Sequence, residues 1–265
     1  MKKKRKLWPP SEIMTSYLRG AGLVTLCGLL FLAGSYYTKE QIVTVSNMQQ
    51  QKELPVYCVQ TEKPQVALSF DAAWGNEDTQ TILDILAAHN VKVTFFMTGG
   101  WVEKYPEDVK KIAAAGHDLG NHSENHKNMS QLSASQQKEE IMKVHKKVKE
   151  LTGVDMNLFR PPYGDYNSQL ILTAKSCGYL PIQWDVDSLD WKDYGVDSII
   201  QTVTQHKHLG NGSIILMHNG AKYTAQALDT VITKLQEQGY ELVPISQLVY
   251  RENYHMDHEG RQIPD

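Results

Sequence analysis

Two histidines four residues apart, in the run His122-Ser123-Glu124-Asn125-His126, carry the strongest chemical signal in this chain. They follow an apolar stretch and the turn-like pair Gly120-Asn121. On one turn of helix this spacing puts both rings on one face. Two neutral imidazoles on one face can hold a divalent transition metal. Alone, such a pair is weak evidence, but this one has company. Asp71, Arg160, the acidic stretch from Asp185 to Asp190, and His218 each stand just after a short run of strand-like residues.

The elements that must position these groups alternate in type. Residues 66–70 read as a buried strand, 78–88 as a helix, 91–96 as a strand, and 106–115 as a helix ended by Gly116. Residues 118–121 form a short strand. A long helix then opens at Leu132-Ser133, with Ser133 as N-cap and Gln136 three residues on, and stops at Gly153. Strands at 157–160, 179–184, 213–217 and 241–243 alternate with helices at 168–177, 196–205 and 225–238. A βα series of about seven units predicts a parallel sheet, open or closed into a barrel. In such folds reactive side chains gather at the C-terminal ends of the strands. That rule brings Asp71, His122 with His126, Arg160, Asp185 to Asp190, and His218 to one face. Such a set suits metal-assisted hydrolysis.

Five segments taken in order resemble a family. They are Ser69-Phe70-Asp71, His122 to His126, Arg160-Pro161-Pro162-Tyr163, Asp185-Val186-Asp187-Ser188-Leu189-Asp190-Trp191, and Leu216-Met217-His218. Together they are similar to the motifs of the polysaccharide deacetylases, also called NodB-homology domains or carbohydrate esterase family four. The run Phe70-Asp71-Ala72-Ala73-Trp74-Gly75 looks most like sporulation-type members from Gram-positive bacteria. The resemblance covers residues 64–250. It implies an α/β fold, a distorted (β/α) barrel of seven strands, that removes N-acetyl groups from aminosugars of peptidoglycan or a chitin-like glycan. It also implies a divalent metal, zinc before cobalt, on His122 and His126. Asp71 would be the base and Arg160 its partner, with His218 the acid and Asp190 the carboxylate that orients it. The Tyr163 N–H would meet the oxyanion, and Trp191 and Leu216 would line the acetyl pocket.

One position departs from the pattern. The commonest first motif has two adjacent aspartates, a base and a metal ligand, whereas Asp71 is followed here by Ala72. An alanine cannot coordinate, and catalytic zinc sites usually have three protein ligands. Glu77 and Asp78 are the nearest carboxylates in sequence that could replace it. Three readings stay open: a deacetylase with a weaker, histidine-only metal site; a glycan-binding pseudoenzyme; and a deacylase of another acyl substrate.

Charge divides the chain. Residues 1–20 sum to +5, residues 21–35 carry none, and the remainder sums to −8. A mildly acidic body argues against nucleic acid as a partner. The basic tail (1–20) precedes an apolar run (21–37) that reads as a membrane anchor, with a cleaved signal segment as the alternative. By the positive-inside rule the body lies outside the cytoplasm, tethered to the membrane or secreted. Residues 38–63 read as a stalk and 251–265 as a loose polar tail. Of the three cysteines, Cys27 lies in the apolar run, and Cys58 and Cys177 are expected to be free.

Overall fold

The computed structural model describes Met14 and residues 52–265. The basic tail, the expected anchor at 21–37 and the first part of the stalk otherwise lie outside the described residues. No described helix is long and apolar enough to cross a membrane.

Eleven strands are described: β1 (Cys58–Val59), β2 (Gln65–Ala72), β3 (Thr94–Met97), β4 (Asp118–Asn121), β5 (Leu158–Phe159), β6 (Leu180–Pro181), β7 (Val186–Asp187), β8 (Ile214–Asn219), β9 (Glu241–Leu242), β10 (Tyr254–Met256) and β11 (Arg261–Pro264). Seven make one parallel path in the order β6-β5-β4-β3-β2-β8-β7, and β9 joins the start of β2. The expected strand count is therefore met, in a curled half-barrel whose edge strands β6 and β7 do not pair with each other. The central strand β2 is buried from Val66 through Ala72. That continuous burial is what a parallel strand covered on both faces requires.

Helices pack on this sheet where the sequence pattern places them. The longest, Ala134–Thr152, has the expected capping box of Ser133 and Gln136, and Gly153 ends it at φ 77°. Its buried side chains Gln137, Glu140, Ile141, Val144 and Val148 recur at helical spacing.

Two expected boundaries move. An incompletely closed sheet leaves backbone N–H and C=O groups unpaired along its edges. Residues 56–60, expected to be stalk, satisfy some of them. Val56 bridges to Ile182 and Cys58 to Ser213, the Val56 N–H donates to the Pro181 carbonyl at 2.9 Å, and the Val59 N–H donates to Gly212 at 3.0 Å. The expected loose tail supplies β10 and β11, which join β1 in a separate sheet of order β1-β11-β10. Gly212 is essential to this closure. It sits at φ 85°, and a Cβ there would lie 1.8 Å from the Val59 carbonyl oxygen. Cys58 and Cys177 are free thiols, as expected.

His117, just before β4, is buried at 7% exposed. Its Nδ1 accepts the Val93 N–H at 3.2 Å, so the ring is held neutral. Burial, aided by nearby Lys92, pushes its pKa down from 6.5 to about 4. A lowered folded-state pKa means that the unfolded chain takes up the proton first. Stability is therefore full above pH 6.5 and falls as the pH drops toward 4, by on the order of 3 kcal/mol from this group. Urea titrations across that window should show the loss, and His117→Phe should flatten it.

Candidate active site

Strand register assembles the site. In β2 and its neighbours Asp71 is opposite Phe96 of β3 and His218 of β8, and Ser69 is opposite Leu216. Registered residues of parallel strands share a face, and the period of two puts Ser69 and Asp71 on the same one. Ala72 falls on the other face, fully buried within the hydrophobic core.

Arg160 is a fully buried arginine directly after β5. Its Nη1 donates to Asp71 Oδ1 at 2.8 Å. Its Nη2 donates to Ser69 Oγ at 2.8 Å and to the Gln183 carbonyl at 3.1 Å. The guanidinium lies over the Phe96 ring at 4.2 Å. Phe96 packs in the core and also supports this cation. Burial disfavours the ionised Asp71, but its cationic surroundings, above all the permanently charged Arg160 guanidinium at 2.8 Å, outweigh it and hold the carboxyl below its usual pKa.

His122 and His126 meet with ring centroids 4.9 Å apart, but not on a helix. Ser123 (φ 65°) and His126 (φ 51°) are left-handed, and the segment is a loop. Its shape comes from clamps. Asn121 Oδ1 accepts the Ser123 N–H and Ser123 Oγ accepts the His126 N–H, both at 3.0 Å. Glu140 accepts both N–H donors of Asn125, backbone and side chain, at 2.8 Å, and Lys147 pairs with Glu124. Gly99 makes room for that carboxylate, since a Cβ there would lie 1.9 Å from Glu124 Oε2. His122 Nδ1 donates to the Arg160 carbonyl at 2.7 Å, and its Nε2 lies 3.4 Å from Asp71 Oδ2. Burial pushes the pKa of this imidazole down to about 4, leaving it neutral with its Nε2 lone pair free. A backbone carbonyl holding the other ring nitrogen is the usual arrangement of a metal-ligating histidine.

On the opposite side stands His218. Its Nδ1 donates to Asp190 Oδ1 at 2.7 Å. Asp190 Oδ2 also accepts the His218 backbone N–H at 2.7 Å and the Thr224 hydroxyl at 2.6 Å. Burial opposes protonation of His218, but the Asp190 hydrogen bond and charge, with Asp71 beyond, raise its pKa above 6.5. Trp74 stacks on its ring at 5.0 Å.

These groups surround one cleft of about 490 Å³, lined by Asp71, His122, His126, Tyr163, Trp191, Leu216 and His218 among others. Arg160 and Asp190 stand behind it, fully buried. All nine site residues named from the sequence therefore converge. Asp185 does not join them. Its carboxylate accepts the Ile214 N–H at 2.8 Å and the Ser213 hydroxyl at 2.9 Å, and burial pushes its pKa up to about 6. Glu77 and Asp78 also stay out of the cleft. Asp78 instead accepts the Gly220 N–H at 2.9 Å.

The donor set fits a divalent ion as an open, two-imidazole site. Among the described residues no group of three or more His, Cys, Asp or Glu side chains is placed to hold one. Ala72 supplies no third ligand, being an alanine buried on the core face of β2.

The family model for polysaccharide deacetylase matches residues 59–182. Peptidoglycan-N-acetylmuramic acid deacetylase PdaA of Bacillus subtilis is 34% identical over 73% of this chain and 74% of its own length. The chain belongs to the polysaccharide deacetylase family. Its fold is that of the family, whose curated members include peptidoglycan deacetylases. It is also 37% identical to the uncharacterised protein YlxY of the same organism, over 74% of this chain, and spans 60% of YlxY's length. Among solved structures, a family four pseudoenzyme from Bacillus anthracis, BA3943, superposes with a TM-score of 0.72 at 33% identity, covering 81% of this chain and 72% of that one. A mutant of BA3943 with restored enzymatic activity superposes with a TM-score of 0.71 at 34% identity, covering 81% and 75% of the two chains.

Sequence reasoning missed several residues of the site. Ser69 and Gln183 complete the arginine cradle, Thr224 completes the carboxylate's, and Trp74 and Trp184 line the cleft beside Asp187, which belongs to the expected acidic stretch. Trp74 had a signal, being three residues after Asp71. Thr224 had none, because its role depends on how the chain turns after β8.

Proposed function

We propose that this chain is an N-deacetylase of a cell-wall glycan, with peptidoglycan as the favoured substrate. The observation that supports the reading best is the pairing of opposite dyads across one cleft: a carboxylate clamped by a buried guanidinium, and an imidazole seated on a buried carboxylate. Simple glycan binding needs neither dyad. Hydrolysis of an acetamide uses both.

Water attacks the acetyl carbonyl carbon as Asp71 takes its proton. The Tyr163 N–H donates to the developing oxyanion, and Tyr163 stands at a left-handed turn (φ 61°) where its ring packs on His126 at 4.4 Å. His218 then gives its proton to the sugar nitrogen as the C–N bond breaks, leaving acetate and a free amine. Leu216 and Trp191 enclose the methyl group. A metal bound by His122 and His126 would polarise the carbonyl and acidify the water. The basic, apolar N-terminus supports placement outside the cytoplasm. The Phe-Asp-Ala-Ala-Trp-Gly run supports a sporulation-type role by likeness alone.

The direct test is acetate release from N-acetylglucosamine oligomers and peptidoglycan by the wild type and by Asp71→Asn. Asp71→Asn is expected to lose about 10²–10⁴-fold in kcat; retained activity means that Asp71 is not the base.

A second reading, a glycan-binding pseudoenzyme, is favoured by Ala72 and by the likeness to BA3943. The two readings share the metal arm. His126→Ala removes one of the two imidazoles and is expected to weaken zinc binding by more than the roughly tenfold typical of lost supporting partners. Isothermal titration calorimetry reads this directly, with urea denaturation to confirm folding. An unchanged affinity would put the metal elsewhere.

A further inference from the structure

Aromatic side chains in soluble proteins usually find cover, so exposed ones that cluster call for a ligand. Among the described residues four Trp or Tyr side chains are exposed: Trp74 (49%), Tyr163 (68%), Trp191 (48%) and Tyr194 (66%). Three of them line the catalytic cleft. Tyr194 does not, and the acetyl-transfer chemistry leaves it without a role. It is linked to the cleft through Lys192, whose Nζ lies 4.9 Å from the Trp191 ring centre and 5.9 Å from that of Tyr194.

The turn that presents these three side chains is built, not slack. Leu189 (φ 56°) and Asp193 (φ 55°) are both left-handed without being glycine, a conformation that costs energy and persists only when its surroundings enforce it. The Leu189 N–H donates to Asp187 Oδ1 at 2.9 Å, the Asp190 N–H to Ser188 Oγ at 3.3 Å, and the Lys192 N–H to the Leu189 carbonyl at 3.0 Å. The same turn buries the Asp190 carboxylate beneath His218 and projects Trp191, Lys192 and Tyr194 outward.

We infer that Trp191, Lys192 and Tyr194 form a second sugar-binding subsite, which takes the next sugar of the glycan strand whose acetamide lies in the cleft. The inference rests on the deacetylase reading and deepens it. A pyranose offers an apolar C–H face and a rim of hydroxyl and carbonyl oxygens. Two exposed rings meet the face, and an ammonium donates to the rim. Trp191 belongs to both sites, so whatever lies beside its ring is continuous with the occupant of the cleft.

The test is calorimetric binding of N-acetylglucosamine and its dimer to the full chain, wild type against Tyr194→Ala and Tyr194→Phe. The wild type should hold the dimer about tenfold more tightly than the monosaccharide, a gain of the size expected for one added aromatic contact. Tyr194→Ala should erase that gain and leave monosaccharide affinity unchanged, and Tyr194→Phe should keep it. Equal affinity for the two ligands in the wild type, or a loss shared equally by monosaccharide and dimer in Tyr194→Ala, would overturn the subsite and leave the deacetylase reading standing. Failure of the wild type to bind either ligand would overturn the glycan reading and the subsite with it. Acetate release measured on the same samples separates turnover from binding.

Discussion

Replacing Arg160 by methionine should cost the fold about 3–5 kcal/mol, the range for removing one partner of a buried ion pair. Asp71 is 5% exposed, and Arg160 is its close cationic partner at 2.8 Å. Methionine keeps much of the packing against Phe96 but leaves the carboxylate in the sheet interior without its counter-charge. Ser69 Oγ and the Gln183 carbonyl lose a donor in the same step. Urea denaturation measures the loss. The double variant Arg160→Met/Asp71→Leu should recover most of it, because removing both charges leaves no buried ion to desolvate. A single-variant loss under about 1 kcal/mol, the scale of a surface ion pair, would show that Asp71 does not depend on this cation.

Asp190→Asn should lower kcat by about 10²–10⁴-fold, the contribution of a positioned acid–base group. Asp190 is fully buried and accepts three hydrogen bonds, from the His218 ring, the His218 backbone and Thr224. Asparagine supplies one acceptor oxygen and turns an NH₂ group toward a donor, so the imidazole loses its orientation. Its cationic form also loses the charge that stabilised it. Asp190 contributes to raising the pKa of His218. Activity that needs protonated His218 persists to higher pH in the wild type, and its alkaline limb should move to lower pH in the variant. A pH–rate profile of kcat/KM checks this. Metal affinity at His122 and His126, on the other arm of the cleft, should not change.

Much of the fold could be read from local pattern. The continuous apolar runs of β2 and β8, the Ser133/Gln136 cap and the Gly153 stop are properties of neighbouring residues, and these elements stand where expected. The nine site residues converge because strand ends in a parallel sheet share one edge. The geometry of the histidine pair could not be read in this way. An i,i+4 spacing suggests a helical turn, but Glu140, Lys147 and Gly99 fold the run into a loop that brings the same two rings together. All three clamps come from distant sequence. The small sheet of β1, β11 and β10 was missed for a similar reason. β1, β10 and β11 are too short to read as strands, and they become ordered by pairing with each other and with exposed sheet edges. Asp185 shows the converse error, a carboxylate placed in the site by its neighbours in sequence and turned out of it by Ser213 and Ile214.

The central claim is that the Asp71 and His218 dyads make this cleft a working deacetylase despite Ala72. The most direct measurement is acetate release by the wild-type chain from peptidoglycan and N-acetylglucosamine oligomers, loaded with zinc or cobalt and again after chelation, with oligomer binding followed in parallel. The account predicts acetate release by the metal-loaded protein. Oligomer binding without acetate release under any of these conditions would contradict it and make the chain a glycan-binding pseudoenzyme.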